Sequence, residues 1–271
     1  MKTVLITGAS SGMGKESAAT LAREGYTVFA AARRVDRMED LKSLGVRPVR
    51  MDITNDEDVV AALQRVTGET GRIDILVNNA GFGLYGPVED VSVEDARYQF
   101  EVNLFGLARL TQLVLPHMRQ QGSGTIVNIS SMGGRIYTPF GAWYHATKHA
   151  LEGWSDCLRF EVAPFGIDVV IIEPGLIASE FAEVVARPLR EANEGSAYAR
   201  MLQAVAEGTQ ERYSRPGAAS PPSVIARVIS RALRARRPRT RYVAGKMARP
   251  LMFMRRWLSD RMFDRILASQ L

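Results

Sequence analysis

Tyr144 and Lys148 stand four residues apart in the run Tyr144-His145-Ala146-Thr147-Lys148, and Ser131 lies 13 residues before Tyr144. On a helix, residues at i and i+4 share one face, one turn apart. An ammonium beside a phenol favours the phenolate and draws a pKa of ~10 towards neutrality. Tyr144 is thereby expected to pass a proton to or from a substrate oxygen. The Ser131 hydroxyl, bonded to the same oxygen, would orient it and stabilise developing charge. A Tyr-xxx-Lys pair alone is common on helix surfaces, so its meaning depends on the elements that hold it.

Those elements follow from the hydrophobic pattern. Short apolar runs at Thr3–Thr7, Thr27–Arg33, Val46–Asp52, Ile73–Asn78, Gly124–Ser130 and Ile167–Glu173 alternate with amphipathic segments carrying helix-start signals, such as Thr54-Asn55-Asp56-Glu57 and Ser92-Val93-Glu94-Asp95. Strands apolar on both faces, alternating with helices, predict an α/β fold: one doubly wound Rossmann-type domain whose parallel sheet is flanked by helices. Past Pro174-Gly175 the rhythm changes. Residues 179–215 read as a helix-and-loop region suited to gripping a substrate, turns follow at Ser214-Arg215-Pro216-Gly217 and Ser220-Pro221-Pro222, then a helix near Ser223–Ala235 and a last strand at Thr240–Ala244. The expected division is a catalytic domain over residues 1–245 and a basic amphipathic helix over residues 246–271.

Thr7-Gly8-Ala9-Ser10-Ser11-Gly12-Met13-Gly14 falls where the first strand meets the first helix. Glycines there permit a tight turn and close backbone approach to a pyrophosphate, which the helix N-terminus favours electrostatically. A nucleoside-triphosphate loop is excluded, because Ala9 and Glu16 occupy positions that such a loop requires to be Gly and Ser or Thr.

The Gly8-xxx-Gly12-x-Gly14 spacing resembles the turn of the short-chain dehydrogenase/reductase family. Further motifs in the same order carry the resemblance to Ser179: Asn78-Asn79-Ala80-Gly81, Asn103 in Val102-Asn103-Leu104-Phe105-Gly106, Ser131 with Tyr144 and Lys148, and Pro174-Gly175-Leu176-Ile177-Ala178-Ser179. The resemblance implies that Asn79 braces the sheet while Ala80 and Gly81 approach the cofactor. It implies that Asn103 holds a water linking Lys148 to solvent, and that Lys148 also holds a ribose. Pro174, Gly175, Ile177 and Ser179 would wrap the nicotinamide. Ser179 replaces the usual Thr of that segment but keeps its hydroxyl. Asp52 resembles the aspartate that contacts adenine, with Ile53 beside it. The Ile172-Glu173-Pro174-Gly175 pattern and long C-terminus resemble the hydroxysteroid and retinol dehydrogenase branch.

Cofactor choice rests on the end of the second strand. An acid there binds the 2′-hydroxyl of NAD, whereas Arg accommodates the 2′-phosphate of NADP. The strand ends Ala32-Arg33-Arg34 without a carboxylate, so NADP(H) is expected over NAD(H). Leu84, Tyr85, Met132, Tyr137, Phe140, Trp143 and Phe181 are candidate linings of an apolar pocket for a hydrophobic alcohol or ketone. His145 points about 100° away from Tyr144 round the helix and is expected as a packing or surface residue. No His/Asp/Glu group has metal-ligand spacing. Carbonyl/alcohol oxidoreduction is the leading expectation. Epimerisation on the same fold and a non-catalytic dinucleotide-bound sensor or scaffold remain open.

Composition sets the remaining bounds. A single cysteine, Cys157, excludes an internal disulfide and a cysteine-based metal cluster. No run reaches the ~18 apolar residues of a membrane span and no signal peptide is visible, so a cytoplasmic protein is expected. The net charge of +6 is uneven: from Arg227 to Leu271 there are 13 Lys/Arg against 2 Asp/Glu, a balance of +11, which leaves −5 for the rest. No recognition module accompanies this basic stretch, so nucleic acid is not an expected partner. Pro250–Leu271 reads as one amphipathic helix, expected to dock as a lid or pack across a homodimer or homotetramer in preference to peripheral membrane contact.

Overall fold

The computed structural model describes residues 1–181, 183–185, 189, 196–215 and 217–269. In chain order the elements are β1 (Thr3–Thr7), α1 (Gly12–Arg23), β2 (Thr27–Ala32), β3 (Arg47–Arg50), α2 (Asp56–Thr70), β4 (Ile75–Asn78), α3 (Val93–Phe100), α4 (Gly106–Gln121), β5 (Gly124–Ile129), α5 (Ala142–Val162), β6 (Ile167–Pro174), α6 (Ala199–Ser214), α7 (Ser223–Arg234), β7 (Arg241–Ala244), α8 (Ala248–Trp257) and α9 (Asp260–Ala268). A 3-10 segment, Val35–Leu44, follows β2, and a π-helical turn, Glu101–Phe105, joins α3 to α4. Part of the expected 179–215 region, Pro216 of the expected turn, and the last two residues of the expected C-terminal helix lie outside the described residues.

Among the described residues seven strands form one parallel sheet in the order β3-β2-β1-β4-β5-β6-β7. The order reverses between β1 and β4, which opens a crevice at the carboxyl ends of those strands. Successive strand residues face opposite layers, so each strand feeds two cores. Val4, Ile6, Val28 and Ala30 pack with Ala18 and Leu21 of α1 and Ile225 and Ile229 of α7. Leu5, Phe29, Leu76 and Ile126 pack with Leu63 of α2, Leu110 and Val114 of α4 and Leu158 of α5. Helix starts are chemically marked: the Asn55 side chain accepts the Asp58 N–H at 2.9 Å, and the Ser92 hydroxyl accepts the Asp95 N–H at 3.0 Å.

Several bounds shift by a residue or two, as where β4 begins at Ile75 and not at Ile73, and two differences bear on the cavities. β3 spans Arg47–Arg50 and stops short of Asp52. The Asp52 N–H is diverted to the Asp58 carboxylate at 2.9 Å, so it is not available for a ladder. The C-terminal segment is two helices instead of one, because Leu258 (φ −91°, ψ 147°) and Ser259 (φ −65°, ψ 159°) are extended between α8 and α9. That bend lets Phe263 of α9 reach full burial against Tyr137. Among the described residues no helix is long and apolar enough to cross a membrane.

Candidate active site

The turn between β1 and α1 is tied across the crevice to the loop after β4. The Asn79 amide donates to the Thr7 and Gly8 carbonyls at 3.0 and 3.1 Å. The Asn79 and Ala80 N–H groups both donate to the Thr7 hydroxyl, at 3.0 and 2.9 Å. Gly8 has φ +64°, and a Cβ there would lie 2.8 Å from the Ala80 Cα. Gly14 packs against the Gly8 carbonyl and the Asn79 amide, and Gly12 faces Ser179. The first turn of α1 has no acidic residue, so its free N–H groups and dipole remain available to an anion.

Gly8, Ser10, Ser11, Arg33, Arg34, Asp52, Ile53, Ala80 and Gly81 line one cavity of about 300 Å³. Arg33 donates to the Tyr98 hydroxyl at 3.1 Å and lies 3.8 Å from the Asp52 carboxylate, with its side chain two-thirds exposed. Arg34 reaches Ser10 Oγ at 3.5 Å and Glu180 Oε2 at 3.3 Å, and Arg37 holds the other Glu180 oxygen at 2.6 Å. Tyr98, Arg37 and Glu180 were not singled out in the sequence. They belong to no motif: Tyr98 lines this cavity, and Arg37 and Glu180 reach it only through Arg34.

A second cavity, about 640 Å³, shares Gly81 and Phe82 with the first. Met13, Asn79, Ser131, Tyr144, Lys148, Pro174, Gly175, Ile177 and Ser179 line it. Of the candidate apolar linings, Tyr85, Met132 and Phe181 are there, whereas Leu84, Tyr137, Phe140 and Trp143 are not. Tyr137 instead donates to the Asp264 carboxylate at 2.7 Å and packs edge-on against Phe263. Phe140, at φ +62°, packs against Tyr198. Val205 of α6, Leu251 of α8 and Leu267 of α9 complete the apolar wall from parts of the chain where no motif marks them.

Within this cavity Ser131 and Tyr144 share the wall, and the Ser131 hydroxyl favours the ionised form of the Tyr144 phenol. Ser131 also accepts the Gly133 N–H at 3.0 Å, which holds the loop after β5 in place. The Tyr144 ring packs against Phe181 and Tyr85, with centroids 5.4 and 5.7 Å away. The expected lowering of the Tyr144 phenol is overturned: burial pushes it up, outweighing the pull of the Ser131 hydroxyl. Lys148 is itself buried, donates to the Ile129 carbonyl at 2.9 Å, and sits 6.0 Å from the Tyr144 ring centroid. Burial pulls its ammonium down to about 8, opposed by the nearby Glu152 carboxylate.

Asn103 lines neither cavity and stands behind the site. Its amide holds both the N–H and the carbonyl of Phe82, at 3.0 and 2.9 Å, and donates to Thr147 of α5 at 3.1 Å. It sits on the π-helical turn, where the extra residue per turn re-aims the side chain. A Cβ on Gly81 would fall 3.0 Å from Asn103 Oδ1 and 3.8 Å from Lys148 Nζ, so the three groups converge.

His145 is buried, with both ring nitrogens engaged. Thr138 N–H donates to Nε2 at 3.1 Å, which leaves Nδ1 to donate to the Gly133 carbonyl at 2.9 Å. Burial lowers its pKa and favours the neutral ring. His145 therefore anchors both ends of the 133–138 loop to α5.

The residues fit a dinucleotide. The glycine-walled turn admits close backbone approach, cationic Arg33 and Arg34 stand at one end, and the Ser131–Tyr144–Lys148 cluster stands at the other. The short chain dehydrogenase family model matches residues 2–189, and the chain belongs to that family of oxidoreductases. It is 36% identical over 271 residues to the uncharacterized oxidoreductase YbbO of Escherichia coli (strain K12), covering 98% of this chain and 94% of that one. It is 39% identical over 181 residues to the 3-ketodihydrosphingosine reductase of Bacteroides thetaiotaomicron, covering 66% and 65%. Among solved structures, a short-chain dehydrogenase from Streptomyces avermitilis superposes with a TM-score of 0.80 at 34% identity, covering 99% of this chain and 94% of that one.

Proposed function

We propose that the protein is an NADP(H)-dependent oxidoreductase that interconverts a carbonyl and an alcohol on a hydrophobic small molecule. The observation that carries this reading is the meeting of Ser131, Tyr144 and Lys148 in the wall of one apolar cavity that adjoins the Gly8–Arg33 pocket.

Gly8, Ser10, Ser11, Gly12, Met13 and Gly14 would hold the pyrophosphate, and Arg33 with Arg34 the 2′-phosphate. Asp52 and Ile53 would meet the adenine, and Asn79, Ala80, Gly81, Pro174, Gly175, Ile177 and Ser179 the remainder. When bound, the cofactor supplies or takes up the hydride. Ser131 orients the substrate oxygen. Burial keeps Tyr144 protonated at neutral pH, so in the reducing direction it donates its proton to that oxygen. Lys148 stabilises the resulting phenolate, and Asn103 steadies the Gly81–Phe82 backbone and the water that replaces the proton. The name of the Bacteroides relative, a reductase of a 3-keto compound, supports carbonyl chemistry. Phe160 of α5 is 80% exposed, and a homodimer or homotetramer packed on α4 and α5 would cover it.

The test is Tyr144→Phe assayed by NADPH absorbance against a panel of lipophilic ketones and alcohols. Turnover should fall by at least ~100-fold while NADPH binding persists. Undiminished turnover would remove Tyr144 from the mechanism. If the unmodified protein binds NADPH but turns over none of the panel, the sensor or scaffold reading is favoured instead.

A further inference from the structure

Helices α8 and α9 use one side to close the substrate cavity and leave another in solvent. On the inner side Phe263 is fully buried, and Leu251 and Leu267 line the cavity. On the outer side Phe253 is 65% exposed and Trp257 69% exposed. They lie one turn apart with ring centroids 6.3 Å from each other. At 100° per residue, Arg249 and Arg256 fall beside them within an arc of about 100°. The Arg256 guanidinium stands 5.7 Å from the Trp257 ring. Helix α8 contains no acidic residue. Among the described residues neither Arg249 nor Arg256 forms an ion pair, whereas Arg255, on the other side, is neutralised by Asp260 at 2.9 Å.

Two large aromatics in water, bracketed by uncompensated guanidiniums, need a partner that takes rings and cations together. A second copy of this face meets the need poorly, because a two-fold contact would set Arg249 and Arg256 near their own counterparts with no carboxylate on the helix to neutralise them. An anionic lipid surface meets it well: the rings enter the headgroup boundary and the guanidiniums pair with phosphates. The helix then lies in the plane of the interface, as its length and charge require.

We propose that the Phe253–Trp257 face of α8 docks on an anionic lipid surface. Docking does not depend on the reaction. Its consequence for catalysis does rest on the function proposed above: Leu251 of the same helix lines the substrate cavity, so docking sets that cavity beside the lipid.

The experiment is flotation of the full chain with vesicles of phosphatidylglycerol and phosphatidylcholine in equal parts, compared with phosphatidylcholine alone. Flotation is expected with the anionic vesicles only, weakened by salt, with a blue shift of tryptophan emission that the Trp257→Ser variant lacks. Phe253→Ser/Trp257→Ser and Arg249→Gln/Arg256→Gln should each lower vesicle affinity roughly tenfold or more. Both should keep the circular dichroism spectrum and NADPH consumption with a water-soluble ketone. Absent flotation, equal flotation of both variants, or a lower sedimentation mass of the Phe253/Trp257 variant in lipid-free buffer would overturn the proposal; the last would make the face a subunit contact. Vesicle binding and turnover are read separately, so a protein that floats but turns over nothing refutes the reaction and leaves the docking intact.

Discussion

Lys148 is a buried cation, and burial draws its ammonium from an ordinary 10.5 down to about 8. Between those values the unfolded chain holds a proton that the folded chain has released, so this group makes stability rise with pH. Below about 8 the penalty is fully present. Replacing Lys148 by Met removes it. Denaturant titrations of both proteins should therefore show the stability of the native protein gaining on that of Lys148→Met by on the order of 3 kcal/mol as pH rises across that window. A gap that stays constant with pH would mean that Lys148 titrates normally. At the other end of the site, Arg33 is largely exposed and engages Tyr98 and Asp52 through a side chain that can turn to a phosphate. Arg33→Ala should weaken NADPH binding by about tenfold or more and leave NADH binding nearly unchanged, since only NADPH carries the 2′-phosphate. Equal NADPH and NADH affinities in the unmodified protein would refute the assigned preference.

The turn between β1 and α1 works as an element because two loops interlock through Asn79, Thr7 and Gly8. Gly8 has both a left-handed backbone and a neighbour that a Cβ would strike, whereas Gly25, at φ +88°, has nothing within 4 Å of such a Cβ. The pair separates the two costs. Gly25→Ala should cost roughly 1 kcal/mol of stability through its backbone conformation and leave NADPH binding untouched. Gly8→Ala should cost more than that and weaken NADPH binding at least tenfold, because the Ala80 backbone must shift. Thermal melts and cofactor titrations of the two variants decide the matter. His145 plays a comparable part for the 133–138 loop, fixing it to the helix that carries Tyr144.

At the scale of the whole molecule, the C-terminal third closes what the sheet opens. Phe263, fully buried against Tyr137, is the anchor through which α9 grips the body. Phe263→Ala should cost about 3–5 kcal/mol at that contact. The expected result is early proteolytic cleavage in residues 246–269, with KM raised for bulky ketones that touch Leu251 and Leu267 and little changed for small ones. Uniform KM values across substrate sizes would show that α8 and α9 do not shape the cavity. A second tie is ionic: Arg135 and Arg241 together hold the buried carboxylates of Glu152 and Glu173, and Arg241 also reaches Asp156. It joins the loop after β5 to α5, β6 and β7, with Glu152 one helical turn beyond Lys148.

Much of this was legible in the chain because it depends on local chemistry. Seven strands, the parallel sheet and the positions of Gly8, Tyr144 and Lys148 follow from alternation, turn residues and one helical spacing, which operate over a few residues. The Tyr144 ionisation was misread for the opposite reason. Spacing places a cation one turn away, but only the packed fold reveals that ring and ammonium are both withdrawn from water, and desolvation then raises the phenol and lowers the ammonium. The same limit explains the cavity walls and the divided C-terminal helix. Val205, Leu251 and Leu267 carry no motif, and the bend at Leu258–Ser259 accompanies the seating of Phe263 on a surface about 130 residues earlier in the chain. The sequence alone thus determined the sheet, the glycine turn between β1 and α1 and the one-turn spacing of Tyr144 and Lys148, through short-range patterns. Tertiary structure decided the ionisation of Tyr144 and Lys148, the shape of the larger cavity and which face of the basic helix remains in water, because each depends on what distant segments remove from solvent.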